Sequence, residues 1–531
     1  MSPVKHKPAP PLKPAPSALP SAPALSKGLR RYLYLTAATT GAAIMIVEIL
    51  GAKMLSPFVG LSHFVWTAQI AVTLVALATG YYAGGKLADR AQGLVWLYWA
   101  ILGAAAYLGL TVLICEPVAY WCLDFNLAVG SLLASAILFF VPLALLAMTG
   151  PFLVRVITTS VANVGGNVGR LTSTSTMGSF AGTMCIGYVM IPLLPNSFTM
   201  WATAGGLILV CAGYFAIFHG KPTGPLLATL AVVVAVGLGA YREQASPYRY
   251  VIELFRGNSH FGKLQVVDRL DGSCRYYLND NLVQNTYDPE LKQSESSFTY
   301  LLAGLARAYT TNIHDVLCIG LGVGIVPMDF ARQGAQVDVV EINPAVVPVA
   351  VKFFNLHPER LRLTIDDGRH FLNRCQKKYD AVVLDAFLGD SSPSHLLTRQ
   401  AFASIRRVLR PGGVLVINTF GNLEPGRDFF TASLHKTLRA VFAGVRIHTC
   451  GNGGIFFAAT DRPEPEFVHP PDLSGVHEDA RLDTQSAFGN LVTTAPESGR
   501  VLTDNYNPVE YYDAKNREDT RRRLAMRAKE M

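Results

Sequence analysis

The feature that most constrains this chain is a train of about seven apolar stretches, at approximately 32–52, 65–85, 95–115, 127–149, 172–194, 199–218 and 224–241. Each is close to the ~20 residues that an α-helix needs to cross the hydrocarbon core of a bilayer. Soluble domains do not string together so many apolar runs of this length, so residues 31–241 are expected to form a transmembrane domain of six to seven helices. Composition agrees. Half of the 531 residues are hydrophobic and the mean hydropathy is +0.29, yet the excess stops near residue 241 and the remainder has the make-up of a soluble domain.

Residues 1–30 are rich in Pro, Ala and Lys and cannot build a core, which predicts a disordered tail. The first apolar stretch begins past residue 30 and is long enough to span, unlike a cleaved leader. Inside it, Glu48 is a functional candidate because an ionisable group is costly at membrane depth; a pair with Lys53 is the plainer alternative. Gly84 to Arg90 resembles the G-x-x-x-D-R loop of some transporters, or is simply a helix end with a basic anchor. Ser173, Ser175, Gly178, Ser179 and Gly182 favour close helix packing, with a substrate path as the alternative.

Charge speaks to orientation. Lys and Arg gather on the N-terminal side of the spans (Lys27, Arg30, Arg31, Lys86, Arg90 and Lys221 among them), against Lys53 alone in the opposite short loops between spans. The positive-inside rule then puts the N-terminus in the cytoplasm. Seven crossings would carry the soluble domain outside. Treating 224–241 as a re-entrant segment returns it to the cytoplasm, which is the expected placement: a multi-pass protein of the cell (inner) membrane. The net charge of +8 collects mostly at the two ends, which favours a membrane surface and gives no case for nucleic acid. The eight cysteines form no C-x-x-C and no Cys/His cluster, so neither a zinc site nor a disulfide framework is predicted.

The soluble half is organised around residues 315–422. Val316 to Ile319 has strand character and leads into Gly320-Leu321-Gly322-Val323-Gly324. A helical stretch and a second strand ending in Glu341 follow. This is the sequence form of a βαβ nucleotide-binding unit: Gly320, Gly322 and Gly324 allow a tight turn, and an acidic residue about 20 positions on can bond ribose hydroxyls. A third strand leads to Asp366-Asp367-Gly368, where an adenine ring would lie. A fourth, Ala381 to Leu384, delivers Asp385 at its carboxyl end, where open α/β sheets bind ligands. A helix, the turn Arg410-Pro411-Gly412-Gly413 and a fifth strand, Val414 to Asn418, complete the series.

Glu341, Asp367-Gly368, Asp385 and the Pro-Gly-Gly turn resemble a class I S-adenosylmethionine-type domain. Their order, with Tyr277 to Gln284 similar to an L-x-L-D-G-x-x-Q hairpin, resembles the spermidine synthase family (polyamine aminopropyltransferases). The resemblance covers roughly residues 250–460, and with the apolar front half it looks like the membrane-fused branch. The expected fold is therefore a multi-pass α-helical membrane domain followed by an α/β Rossmann-like domain with a small N-terminal β-hairpin layer. The divisions expected are 1–30 tail, 31–241 membrane, 242–310 β-rich part, 311–465 catalytic domain and 466–531 C-terminal extension.

The resemblance implies transfer of an aminopropyl group from decarboxylated S-adenosylmethionine to an amine, classically putrescine, with release of methylthioadenosine. No tightly bound cofactor and no metal is implied. Glu341 would hold the ribose, Asp367 and Gly368 the adenine edge, and Asp385 would accept or relay the amine proton; capping a helix is the alternative for Asp385. Gln284 and Asp390 are weaker substrate-binding candidates. Partners implied are the amine, the sulfonium nucleoside, the lipid bilayer and a second copy in a homodimer.

The chain departs from the family pattern where the amine would bind. Val323 stands where the family has an Asp that holds an amino group. Asp385-Ala386-Phe387-Leu388-Gly389 replaces D-S-x-D-P, losing a carboxylate unless Asp390 substitutes, and Ser294-Glu295-Ser296-Ser297 does not match Y-H-E. Nucleoside positions are kept and amine positions are not. An S-adenosylmethionine-dependent methyltransferase, or a transporter or sensor that binds a nucleoside or polyamine without turnover, are the competing readings.

Overall fold

The computed structural model describes residues 25–219 apart from 61–62, 92 and 159–163, then 226, 230, 233, 234 and 237, and 250–530 apart from 388–392, 452 and 493–497. Six helices long and apolar enough to cross a membrane form a bundle: α1 (Lys27–Val59), α2 (His63–Arg90), α3 (Val95–Cys122), α4 (Leu127–Ile157), α5 (Val164–Leu193) and α6 (Asn196–His219). Most run well past the apolar windows read from the sequence, because hydropathy marks only the part matched to lipid while the polar ends continue as helix. Glycines set the tightest contact in the bundle. A Cβ on Gly178 of α5 would collide with the backbone of α1 at Ala38, and one on Gly182 would stand 2.6 Å from the Ala42 carbonyl oxygen. Ser179 also donates to the Gly41 carbonyl at 3.1 Å. Packing is thus what the Ser- and Gly-rich stretch does here. Lys53 does not pair with Glu48; it reaches Asp280 of the soluble half at 3.6 Å.

The soluble half holds two sheets. The first is antiparallel, β1 (Val251–Ser259), β2 (Gly262–Arg269), β3 (Arg275–Asn279), β4 (Leu282–Asp288) and β5 (Gln293–Ser294), in sequence order. It is larger than the hairpin expected. Asp280 and Asn281 join β3 to β4 with φ of 47° and 62°, the left-handed pair that a two-residue hairpin turn requires and that Asp and Asn tolerate. The second sheet has seven strands: β6 (Asp315–Ile319), β7 (Gln336–Glu341), β8 (Arg362–Ile365), β9 (Tyr379–Leu384), β10 (Leu409–Phe420), β11 (Gly444–Thr449) and β12 (Gly454–Thr460). Their order is β11-β12-β10-β9-β6-β7-β8; β6 to β10 are parallel, while β12 runs antiparallel to both its neighbours. The order reverses between β6 and β9, and the crevice at that reversal is where such sheets take ligands.

All described contacts between bundle and soluble half lie at one end of the bundle. Lys53 and Ser56, late in α1, meet Asp280. His63, opening α2, meets Glu510. Asp124, after α3, pairs with Arg522 at 3.2 Å, and the backbone N–H of Leu127, opening α4, donates to Glu518. Lys27 and His219 lie at the other end. The soluble half thus packs against the end of the bundle away from Lys27. Candidate span 224–241 lies mostly outside the described residues. Its described members Leu226, Leu230, Val233 and Val234 are helical and exposed, an apolar face with the i, i+4, i+7, i+8 spacing of one helix side.

Candidate active site

A cavity of about 1080 Å³ opens at the strand-order reversal, of the size expected for a nucleoside and a second substrate. One wall is the loop after β6. Gly320 and Gly322 have φ of +100° and +55°, and a Cβ on Gly320 would collide with the carbonyl oxygen of Asp385; glycine alone lets the two strand ends close up. Both line the cavity. Gly324 does not. At φ +89° it turns the chain into the helix Ile325–Arg332, and a Cβ there would stand 2.6 Å from Leu356. The third glycine of the motif therefore serves packing.

Glu341 ends β7 and is only 9% exposed. Its two oxygens accept the backbone N–H groups of Leu321 (2.9 Å) and Asn343 (2.7 Å), so the carboxylate also fastens the glycine loop. Burial raises its pKa, with these amides working the other way. Each oxygen keeps lone-pair capacity toward the cavity it lines, as ribose hydroxyls would need. Asp367 and Gly368 line the cavity as well, and Asp367 has structural partners besides. Its carboxylate caps the helix Gly368–Arg374 by accepting from Arg369 and His370, and its other oxygen meets His395 Nε2 at 2.9 Å. Burial opposes its charge, but these partners outweigh it and hold the carboxyl below the usual range. A Cβ on Gly368 would lie 2.6 Å from Ile319, so glycine there keeps a flat floor beside the cavity.

Asp385 stands at the carboxyl end of β9, between the wall built by β6 and β7 and a second wall on β10. It caps no described helix. Asn418, at the end of β10, donates Nδ2–H to its Oδ1 at 2.9 Å. Enclosure of the carboxyl pushes its pKa up to about 6, opposed by the Asn418 bond. Beyond it, the Phe387 and Phe420 rings meet edge to face at 5.6 Å. Gln284 of β4 lines the cavity on the hairpin side, while Asp390 lies outside the described residues. Val323, at the departure noted above, is buried among core side chains and offers no polar atom. The sequence reading passed over Asn418, although an Asn closing an apolar strand was a usable signal. It also passed over Glu510, Arg517 and Thr520, which enter the cavity wall from the C-terminal segment.

The Spermine/spermidine synthase domain model matches residues 295–459, the segment that carries Glu341, Asp367 and Asp385. A polyamine aminopropyltransferase of Vibrio vulnificus is 36% identical over 235 residues, 42% of this chain and 77% of that protein. A putrescine N-methyltransferase 2 of Nicotiana tabacum is 30% identical over 35% of this chain, which spans 57% of its length. A solved spermidine synthase from Thermotoga maritima aligns at 16% identity with a TM-score of 0.37, over 46% of this chain and 84% of that one.

Proposed function

The chain belongs to the spermine/spermidine synthase family, and on that premise we propose that it is a membrane-bound aminopropyltransferase that moves the aminopropyl group of decarboxylated S-adenosylmethionine to an amine and releases methylthioadenosine. The observation that carries this reading is the position of Asp385. It faces the cavity one strand away from the Gly320 loop and two from Glu341. A carboxylate is therefore held where the amine must approach a nucleoside bound at β6 and β7.

The chemistry is a displacement. The amine lone pair attacks the methylene carbon beside the sulfonium, the C–S bond breaks, and its electron pair neutralises the sulfur. An alkylammonium with a pKa near ~10 has no lone pair, so a proton must leave the amine. Asp385, ionised above about pH 6, is placed to accept or relay it. The remaining catalysis is positioning: Glu341 on the ribose side, Phe387 and Phe420 excluding water on the other.

A second reading, methyl transfer from S-adenosylmethionine on the same scaffold, is favoured by Val323, an apolar core side chain where the family has the Asp that holds an amino group. The product decides between them: methylthioadenosine for aminopropyl transfer, S-adenosylhomocysteine for methyl transfer. We further propose that the bundle spans a bilayer. The Lys and Arg bias puts the N-terminal end in the cytoplasm, and the packing of the catalytic half against the other end then supports its exposure on the outer face.

A further inference from the structure

The C-terminal extension contributes Glu510 to the wall of the cavity that holds Asp385. We propose that Glu510, held by His63 at the head of α2, is the acceptor-side carboxylate, receiving the distal ammonium of an α,ω-diamine whose other nitrogen lies at Asp385. This rests on the aminopropyltransferase reading of the same cavity.

Four observations carry it. First, Glu510 lines the cavity that holds Asp385, and it shares a smaller recess with Phe387 and Phe420. That recess lies on the β10 side of Asp385, whereas Glu341 and the glycine loop lie on the β7 and β6 side. An in-line displacement needs its nucleophile across from the sulfur, on the β10 side. Second, Phe387 and Phe420 line the cavity together with both carboxylates and pack edge to face, an apolar surface suited to a methylene spacer.

Third, the segment that carries Glu510 is fastened down. Asp504 accepts from Thr398 Oγ1 at 2.6 Å and pairs with Arg369 at 3.0 Å, and Asn507 donates to the Ser394 carbonyl at 2.9 Å. Fourth, the carboxylate is itself aimed: Oε2 accepts the backbone N–H of His63 at 3.4 Å and meets its Nδ1 at 3.2 Å. Arg517 and Thr520 share the recess with it. His63 belongs to the bundle, which makes the bundle part of the acceptor site through a positioning residue.

The test is calorimetry on the full-length protein in detergent, saturated with methylthioadenosine and titrated with 1,4-diaminobutane or with butylamine, which lacks the distal charge. Loss of a charge-assisted hydrogen bond predicts that E510Q weakens diamine binding by about 10–100-fold, leaves butylamine and methylthioadenosine unchanged, and is partly rescued in E510D. H63A should weaken the diamine several-fold with the same selectivity. Wild-type diamine affinity in E510Q, equal loss of diamine and butylamine, no diamine binding by the wild type, or a lowered melting temperature shared by E510Q and E510D would each overturn the proposal. These arms need no turnover. Failure of the enzymatic reading is separately visible as wild-type protein that releases no methylthioadenosine from the decarboxylated donor.

Discussion

Asn418 donates its side-chain N–H to Asp385 Oδ1 at 2.9 Å, joining the carboxyl ends of two neighbouring parallel strands. That bond favours the charged carboxylate while enclosure disfavours it, and the balance leaves Asp385 at about 6. Catalysis needs both this carboxylate ionised and the amine deprotonated. The plot of log kcat/KM against pH should therefore rise with slope near two below about pH 6 and near one above it. Asn418→Ala should move the break to higher pH. A single slope through the whole range in the wild type contradicts the assignment.

Asp385→Asn should lower turnover by about 10²–10⁴-fold with donor binding nearly kept. It also carries a sign for stability. The folded pKa is raised above the ordinary carboxyl value of 3.8 to about 6, so the stabilising contribution is full below the lower value and lost as pH rises through the upper one. Relative to wild type, the Asn variant should gain melting temperature between pH 4 and pH 7. A difference that shrinks over that range would mean the carboxyl is not enclosed.

Glu341→Ala should weaken methylthioadenosine binding by at least about 10-fold, since charge-assisted hydrogen bonds to a ribose are lost. Because Glu341 also accepts the Leu321 and Asn343 amides, Glu341→Gln is the informative partner: it keeps one acceptor oxygen and should fall between wild type and Ala. Unchanged calorimetric affinity in both removes the nucleoside assignment.

Reporter fusions after Lys221 and after Arg256 should report opposite sides of the membrane, the first cytoplasmic and the second external. The catalytic half meets the bundle through Lys53, His63, Asp124 and Leu127, all at the end away from Lys27. Two cytoplasmic signals would contradict that parity. The outer placement requires that the sulfonium donor be present on that face.

Much of this was legible in the sequence, and the failures have physical causes. The five parallel strands and the glycine turn follow from local pattern, and the parallel crossover forces their carboxyl ends together. Both aspartates line the cavity, but Asp367 also caps a helix, while Asp385, for which capping was the alternative, caps none among the described residues. Both stand after a strand, and only the following backbone distinguishes them. Strands β11 and β12 went unread because β12 is buried on both faces, and an uninterrupted apolar run has no period. Glu510 was beyond reach because His63, which holds its carboxylate, and Phe387, which lines the same recess, lie far away in sequence. Whether 224–241 crosses could not be read from the sequence, because a stretch of about 18 apolar residues is near the minimum for a span and hydropathy alone does not separate a crossing from a re-entrant segment.

The most direct measurement is the nucleoside product released by the full-length protein in lipid nanodiscs, given decarboxylated S-adenosylmethionine or S-adenosylmethionine together with 1,4-diaminobutane. The account predicts methylthioadenosine in step with aminopropylated amine from the decarboxylated donor, lost in Asp385→Asn. S-adenosylhomocysteine with methylated amine, or no product from either donor, contradicts it.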